Sequence, residues 1–190
     1  MNQKTASHLI RYDLKSIALS RFENTRGYPY IVSPFSRLYL ITEGEGWIMI
    51  DGQKIILEPN YLYLIPSFTP CSYHFTKDLE HYYIHFATTL LNGLNVYNLY
   101  KTERKVISIK LDHLLLERLL KINPNLALPH PDPHIYQTQK WLNKTNKYTC
   151  AACCLETRGI LEQLLSRFVI EENDPSGNLM LRYNIQPILT

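Results

Sequence analysis

A small antiparallel β-barrel followed by helices, a mainly β fold with C-terminal helices, is the fold class this sequence predicts. Three observations predict it. Leu38 to Tyr73 reads as short apolar stretches broken by GEG, DG, EPN and IPSFTP, the density of turns expected of a small barrel or sandwich. After Phe86 the apolar spacing changes, and Leu111, Leu115, Leu119 and Ile122 recur with helical period. Between the first helix and the next, Pro124, Pro129, Pro131 and Pro133 mark an extended connection.

The elements follow in order. Residues 1–15 read as a polar arm. Ile17 to Phe22 and Tyr28 to Val32 read as strands joined by the loop from Glu23 to Gly27. Leu38 to Thr42 leads through Glu43-Gly44-Glu45-Gly46 into Trp47 to Ile50. Asp51-Gly52 is the strongest hairpin signal, because both residue types tolerate the positive φ of a tight I′ turn. Lys54 to Leu57 returns, Pro59-Asn60 turns again, and Tyr61 to Ile65 forms a strand. Ser67 to Pro70 is a loop, and Cys71 to Phe75 and His81 to Phe86 are the last strands.

A helix is expected over Leu111 to Ile122, stopped by Asn123-Pro124. A short one is expected over His134 to Lys144 and a longer one from about Thr149 to Ile170. In the last, Cys150, Cys154, Thr157, Leu161, Leu164 and Phe168 are separated by 4, 3, 4, 3 and 4. That is an a/d seam, the spacing that lets one helix pack along another. It predicts a helical hairpin or a dimer contact. The division that follows is 1–105 for the barrel and arm, 106–172 for a helical dimerisation segment, and 173–190 for a linker opening with Asp174-Pro175-Ser176-Gly177.

Composition excludes several classes. No apolar run approaches the ~18 residues that cross a bilayer. The N-terminus lacks the apolar centre of a secretory signal, so a cytoplasmic location is expected and no membrane partner. The 20 basic and 17 acidic residues are spread evenly, with none of the basic stripes that track nucleic acid. No G-x-S-x-G, P-loop or dinucleotide fingerprint is present. His81, His85, Glu43, Glu45 and Asp51 are the residues able to do acid–base work.

Two clusters remain. Cys150, Cys153 and Cys154 form a CxxC with an adjacent thiol, but no second pair completes a four-ligand zinc site. Packing is the expectation for them, with redox sensing as the alternative. The strand from His81 to Phe86 alternates: His81, Tyr83 and His85 share one face, and Tyr82, Ile84 and Phe86 the other. Tyr73 lies on an alternating strand with Cys71 and Phe75. Alternation alone leaves open whether the His81 face points inward or to solvent. Inward, it makes a cavity with hydrogen-bonding aromatic walls.

The succession Leu40-Ile41-Thr42-Glu43-Gly44-Glu45-Gly46, Ile50-Asp51-Gly52, Leu57-Glu58-Pro59, Leu64-Ile65-Pro66, Pro70 and Tyr82-Tyr83-Ile84-His85-Phe86 resembles the regulatory domain of AraC-type transcription regulators. It covers about residues 17 to 100 by motif. The resemblance implies a cupin-like antiparallel β-barrel, a double-stranded β-helix, followed by a helical dimerisation segment. It implies a small-molecule effector in the barrel, sugar-like in some members. It also implies a homodimer through the C-terminal helices Cys150 to Phe168, and DNA binding only through a C-terminal helix-turn-helix domain that this chain is expected to lack. Leu181 to Thr190 resembles the opening of that domain.

Carried onto this sequence, the ligand-binding positions are Glu43, Tyr73, His81 and Tyr83, with His85 added by the alternation. His8 to Tyr12 would form a lid. The chain departs from the pattern at Pro59-Asn60-Tyr61 and at Pro70-Cys71. Cupin enzymes carry a His-x-His pair where this chain reads Phe35-Ser36-Arg37-Leu38-Tyr39, so neither a metal nor a cofactor is expected. The alternatives are a stand-alone cupin isomerase or dioxygenase, and a dimerisation module with no small ligand.

Overall fold

The computed structural model describes residues 10–90, 93–143 and 150–170. Nine strands are described: β1 (Arg11–Arg21), β2 (Arg26–Ile31), β3 (Ser36–Glu43), β4 (Gly46–Ile50), β5 (Gln53–Leu57), β6 (Tyr61–Ile65), β7 (Cys71–Phe75), β8 (Glu80–Thr89) and β9 (Lys105–Ile107). They form two antiparallel sheets, a five-stranded one in the order β1-β8-β3-β6-β9 and a four-stranded one in the order β2-β7-β4-β5. The turn spacing predicts such an antiparallel barrel or sandwich, and the arrangement is the jelly roll of the cupin fold that the resemblance implies. Four helices follow: α1 (Lys110–Ile122), α2 (Pro133–Tyr136), α3 (Gln139–Leu142) and α4 (Ala151–Ser166).

The turns carry the chemistry the sequence assigns them. Asp51 and Gly52 sit at φ 51° and 77° and close the β4–β5 hairpin, the double positive φ of a I′ turn. Gly44 has φ 75°, and a Cβ there would lie 2.6 Å from the Leu79 Cα. A Cβ on Gly46 would lie 2.6 Å from the His74 carbonyl oxygen. The GEG motif is therefore a place where the β3–β4 corner is pressed against β7 and the start of β8.

The five-stranded sheet is buried on both faces. Tyr39, Ile41, Tyr63, Ile65 and Tyr83 face the other sheet and form the barrel interior. Leu38, Leu40, Leu62, Leu64, Ile84 and Phe86 face the other way, against α1 and α4. The open question of which face of β8 points inward is thereby resolved: it is the face of His81, Tyr83 and His85.

Four expectations need correction. The first strand starts at Arg11 rather than Ile17, and the register shift between Leu14 and Ser16 breaks the alternation that would have marked it. Ile10 is buried and Arg11 and Tyr12 pair with β8, so these residues form no lid; His8 and Leu9 lie outside the described residues. In α1 the buried positions are Asp112, Leu116 and Leu119, while Leu111 is exposed. The helix expected over His134 to Lys144 is two single turns, α2 and α3, capped by Asp132 and Thr138. The linker 173–190, including Leu181 to Thr190, lies outside the described residues.

The seam of α4 divides. Thr157, Leu161, Leu164 and Phe168 are buried in this chain's own core, against the outer face of the five-stranded sheet and α1. Cys150 and Cys154 are exposed. Cys150 is the N-cap of α4, its sulfur accepting from the Cys153 N–H at 3.2 Å. Asn123 Nδ2 donates to Thr157 Oγ1 at 2.9 Å and to the Leu119 carbonyl at 3.0 Å, which fixes α4 against the end of α1.

A capped aromatic cavity in the barrel

Between the sheets lies a cavity of about 210 Å³, walled by Ser20 and Phe22 of the β1 end, Tyr39 of β3, Tyr73 and Phe75 of β7, and His81, Tyr83 and His85 of β8. Leu128, Pro131 and Tyr136 of the Pro-rich connection cover part of its mouth. Four of the five ligand-binding residues expected from the sequence, Tyr73, His81, Tyr83 and His85, thus share one cavity. Glu43 does not reach it. Its carboxylate is exposed and pairs with Arg21 at 2.9 Å on the surface, because the β3–β4 corner turns it away from the interior.

The walls are stacked rings. Phe22 lies 4.7 Å from Phe75 and 5.6 Å from His81 between centroids, and Tyr39 meets His81 edge-on at 5.3 Å. His85 stacks on Tyr136 at 5.9 Å. Burial sets the protonation of the cavity. It pulls His81 down to about 4, against a hydrogen bond donated by the imidazole to the Ser20 backbone that acts the other way. His85 is pulled well below the usual range by burial, by Arg37 and by His81. Both imidazoles are therefore neutral at pH 7. Each has an Nδ1 with no hydrogen-bond partner among the described residues. Burial likewise raises the Tyr73 and Tyr83 hydroxyls, which stay protonated.

The cover over the cavity is the connection from α1 to α4, in place of the expected N-terminal arm. Leu126 accepts from the Ile17 N–H at 3.0 Å, and the Leu128 N–H donates to the Tyr83 hydroxyl at 3.0 Å. Ser33 Oγ donates to Gln137 Oε1 at 2.9 Å, and Trp141 meets Phe35 edge-on at 5.3 Å. Lys15 Nζ donates to the Leu142 carbonyl at 2.9 Å. Each hydrogen bond fixes one point of a segment that has little regular structure of its own.

Behind the cavity lies Arg37, which the sequence marks only as part of the His-free stretch Phe35 to Tyr39 and not as a site residue. It is 1% exposed. Its guanidinium carbon lies 5.6 Å from the Tyr73 ring and 5.3 Å from the Phe35 ring. Arg37 and Tyr39 occupy the stretch where cupin enzymes place their His-x-His pair. A fixed cation at that wall disfavours a metal dication nearby. Among the described residues, no group of three or more His, Cys, Asp or Glu side chains is placed to hold a metal ion. No described helix is long and apolar enough to cross a membrane.

Comparison with known proteins gives a family match. Residues 16–96 match the model of the AraC-like ligand binding domain. No curated protein matches the chain. Among solved structures, it is similar to a cupin superfamily protein from Desulfitobacterium hafniense, at 21% identity over 40% of this chain and 74% of that one, TM-score 0.32. It is similar to an RmlC-like cupin protein from Desulfovibrio desulfuricans, at 16% identity over 42% and 83%, TM-score 0.31. It is also similar to the EutQ protein of Clostridium difficile, at 14% identity over 40% and 67%, TM-score 0.30. The matched residues, 16–96, hold every barrel strand from the middle of β1 to β8 and most of the cavity wall, and over them the chain is similar to the AraC-like ligand binding domain.

Proposed function

We propose that this chain senses a small polar effector, sugars included among the candidates, in the barrel cavity without turning it over, and passes the binding event to its helices. The observation that carries the reading is the cavity itself: an aromatic chamber walled by two neutral imidazoles and partly covered by Leu128, Pro131 and Tyr136 of the connection that follows α1. A ligand that hydrogen-bonds His81, His85 or Tyr83 competes with the cap's own bond from the Leu128 N–H to the Tyr83 hydroxyl. Binding would then favour one cap arrangement over another, which is the differential affinity that coupling requires.

We further propose that the chain dimerises through α4 and α1. The surface would be the outward face of Cys150, Cys154 and Leu155, with Leu111 and Leu114, since Thr157, Leu161, Leu164 and Phe168 are occupied within the chain. A linked helix-turn-helix domain would make the DNA contacts. The test is calorimetry with sugars, ureas and small acids, combined with sedimentation. Saturable binding that Tyr83→Phe or His81→Ala weakens at least tenfold supports the sensor. Binding unchanged by either variant overturns it. A chain that stays monomeric at micromolar concentration, with or without effector, overturns the dimer.

A further inference from the structure

Arg37 poses a charge problem that the protein does not solve. Its guanidinium is wholly buried, yet no carboxylate among the described residues pairs with it. Its polar partners are the Ser33 hydroxyl, the Cys71 sulfur at 3.8 Å and the Tyr136 hydroxyl, and its Nε has no hydrogen-bond partner among the described residues. The acids that act on it are Tyr73, Tyr39, Tyr136 and Cys71. Burial raises all four, outweighing the pull of the guanidinium, so all four are neutral at pH 7. A full positive charge thus lies directly behind a chamber whose own histidines are neutral. A buried charge left unpaired is costly, and proteins meet that cost with an anion.

Three of the groups around the guanidinium, Tyr39, Tyr73 and Tyr136, are also walls of the cavity. Tyr136 belongs to the cap. Its hydroxyl, a weak neutral acceptor, stands at the guanidinium where an anionic oxygen would bind more strongly. One cation suits a monoanion. The planar guanidinium fork suits a carboxylate. A cavity of about 150 Å³ admits benzene, so about 210 Å³ admits one ring with a carboxylate and a small substituent. The rings of Phe22, Tyr39, Phe75 and Tyr83 suit a flat body, and the Tyr83 hydroxyl and the neutral imidazoles of His81 and His85 on the same wall suit a polar substituent.

We propose that the effector is a small single-ring monocarboxylate whose carboxylate binds the Arg37 guanidinium in place of the Tyr136 hydroxyl. This rests on the sensor reading and narrows it to one ligand class. It also gives the signal a path. Displacing the Tyr136 hydroxyl loosens α2, and α2 lies on the connection between α1 and α4.

The test uses matched pairs on the full chain: benzoate and benzamide, nicotinate and nicotinamide, cyclohexanecarboxylate and its carboxamide. Calorimetry measures each, with arabinose and glucose as neutral controls. The expected result is at least one carboxylate binding tenfold or more tightly than its amide. Arg37→Met should abolish that preference, with carboxylate affinity falling to that of the matched amide. Tyr136→Phe removes the competing hydroxyl and should tighten the carboxylate. Arg37→Lys keeps the charge but loses the fork, and serves where Arg37→Met does not fold; it should narrow the preference. Amides or sugars binding as tightly as the carboxylates overturn the proposal and leave the sensor standing. Carboxylate preference unchanged in the Arg37 variants overturns it too. No binding by any compound overturns both readings.

Discussion

Arg167 Nε lies 3.2 Å from Asp112 Oδ1, with both side chains almost wholly buried. Three elements meet at this pair. Asp112 Oδ2 accepts from the Ile109 N–H at 2.8 Å and so caps α1. Arg167 follows α4, and its Nη2 donates to the Ile107 carbonyl of β9 at 2.8 Å. The pair locks both long helices to the edge of the barrel.

Removing one partner leaves the other charged in a dry site. Asp112→Leu and Arg167→Met should each cost about 3–5 kcal/mol in urea unfolding. The double variant should cost clearly less than the two single losses together, because the stranded charge is gone. Losses that add within about 0.5 kcal/mol would mean the two residues do not interact.

The cavity histidines predict acid sensitivity. His81 falls from 6.5 in the unfolded chain to about 4 in the folded one, and His85 moves the same way. Between those values the unfolded chain binds protons that the folded chain refuses. Stability is therefore full above pH 6.5 and is lost as pH falls toward 4. For His81 the span corresponds to about 3 kcal/mol. No carboxylate is among the groups acting on either imidazole: Phe22, Tyr39, Phe75 and Tyr83 surround His81, and Phe35, Tyr83, Tyr136 and Arg37 surround His85. Unfolding midpoints measured from pH 7 to 4 should fall steeply in the parent and less steeply in His81→Gln. Parallel curves would rule out His81 as a contributor.

What the sequence disclosed depended on whether a residue's neighbours differed from it. Tyr61 to Ile65 and Cys71 to Phe75 match β6 and β7 residue for residue, because turn signals flank them on both sides. His81, Tyr83 and His85 stood out because the intervening residues on β8 are plainly apolar. Their direction was hidden, since both faces of that sheet are buried and apolarity cannot mark the inside. The same double burial concealed Arg37 and Tyr39: six consecutive residues of β3, Ser36 to Ile41, are buried, so no alternation remains to read. Tyr136 had no signal at all. It sits in a single helical turn within a Pro-rich connection, where period carries no information. Glu43 was placed by family resemblance, and its pairing with Arg21 across a strand corner could not be read from spacing.

The GEG corner allows a controlled comparison. Gly44 and Gly52 both have positive φ, at 75° and 77°. Around Gly52 an added Cβ meets nothing within 4 Å, whereas at Gly44 it meets the Leu79 backbone at 2.6 and 2.9 Å. Gly52→Ala should cost about 1 kcal/mol, the backbone penalty alone. Gly44→Ala carries the same penalty plus a clash with backbone that cannot turn aside, and should cost at least about 2 kcal/mol more. Equal losses in thermal unfolding would show that the corner relaxes without strain.

The divided seam of α4 makes opposite predictions for its two ends. Leu164 is fully buried in the core shared by α1, α4 and the barrel. Leu164→Ala should lose about 2–5 kcal/mol of stability at any protein concentration, because the cavity it leaves lies inside one chain. Cys154 and Leu155 are exposed. Cys154→Ser and Leu155→Glu should change the unfolding of dilute protein by about 0.5 kcal/mol or less. If the outward face carries the dimer, those two variants should instead raise the concentration needed for association in sedimentation. Should Leu164→Ala shift association while sparing the unfolding midpoint, the seam would belong to the interface after all, and the packing of α4 against its own barrel would be the wrong account of Thr157, Leu161, Leu164 and Phe168.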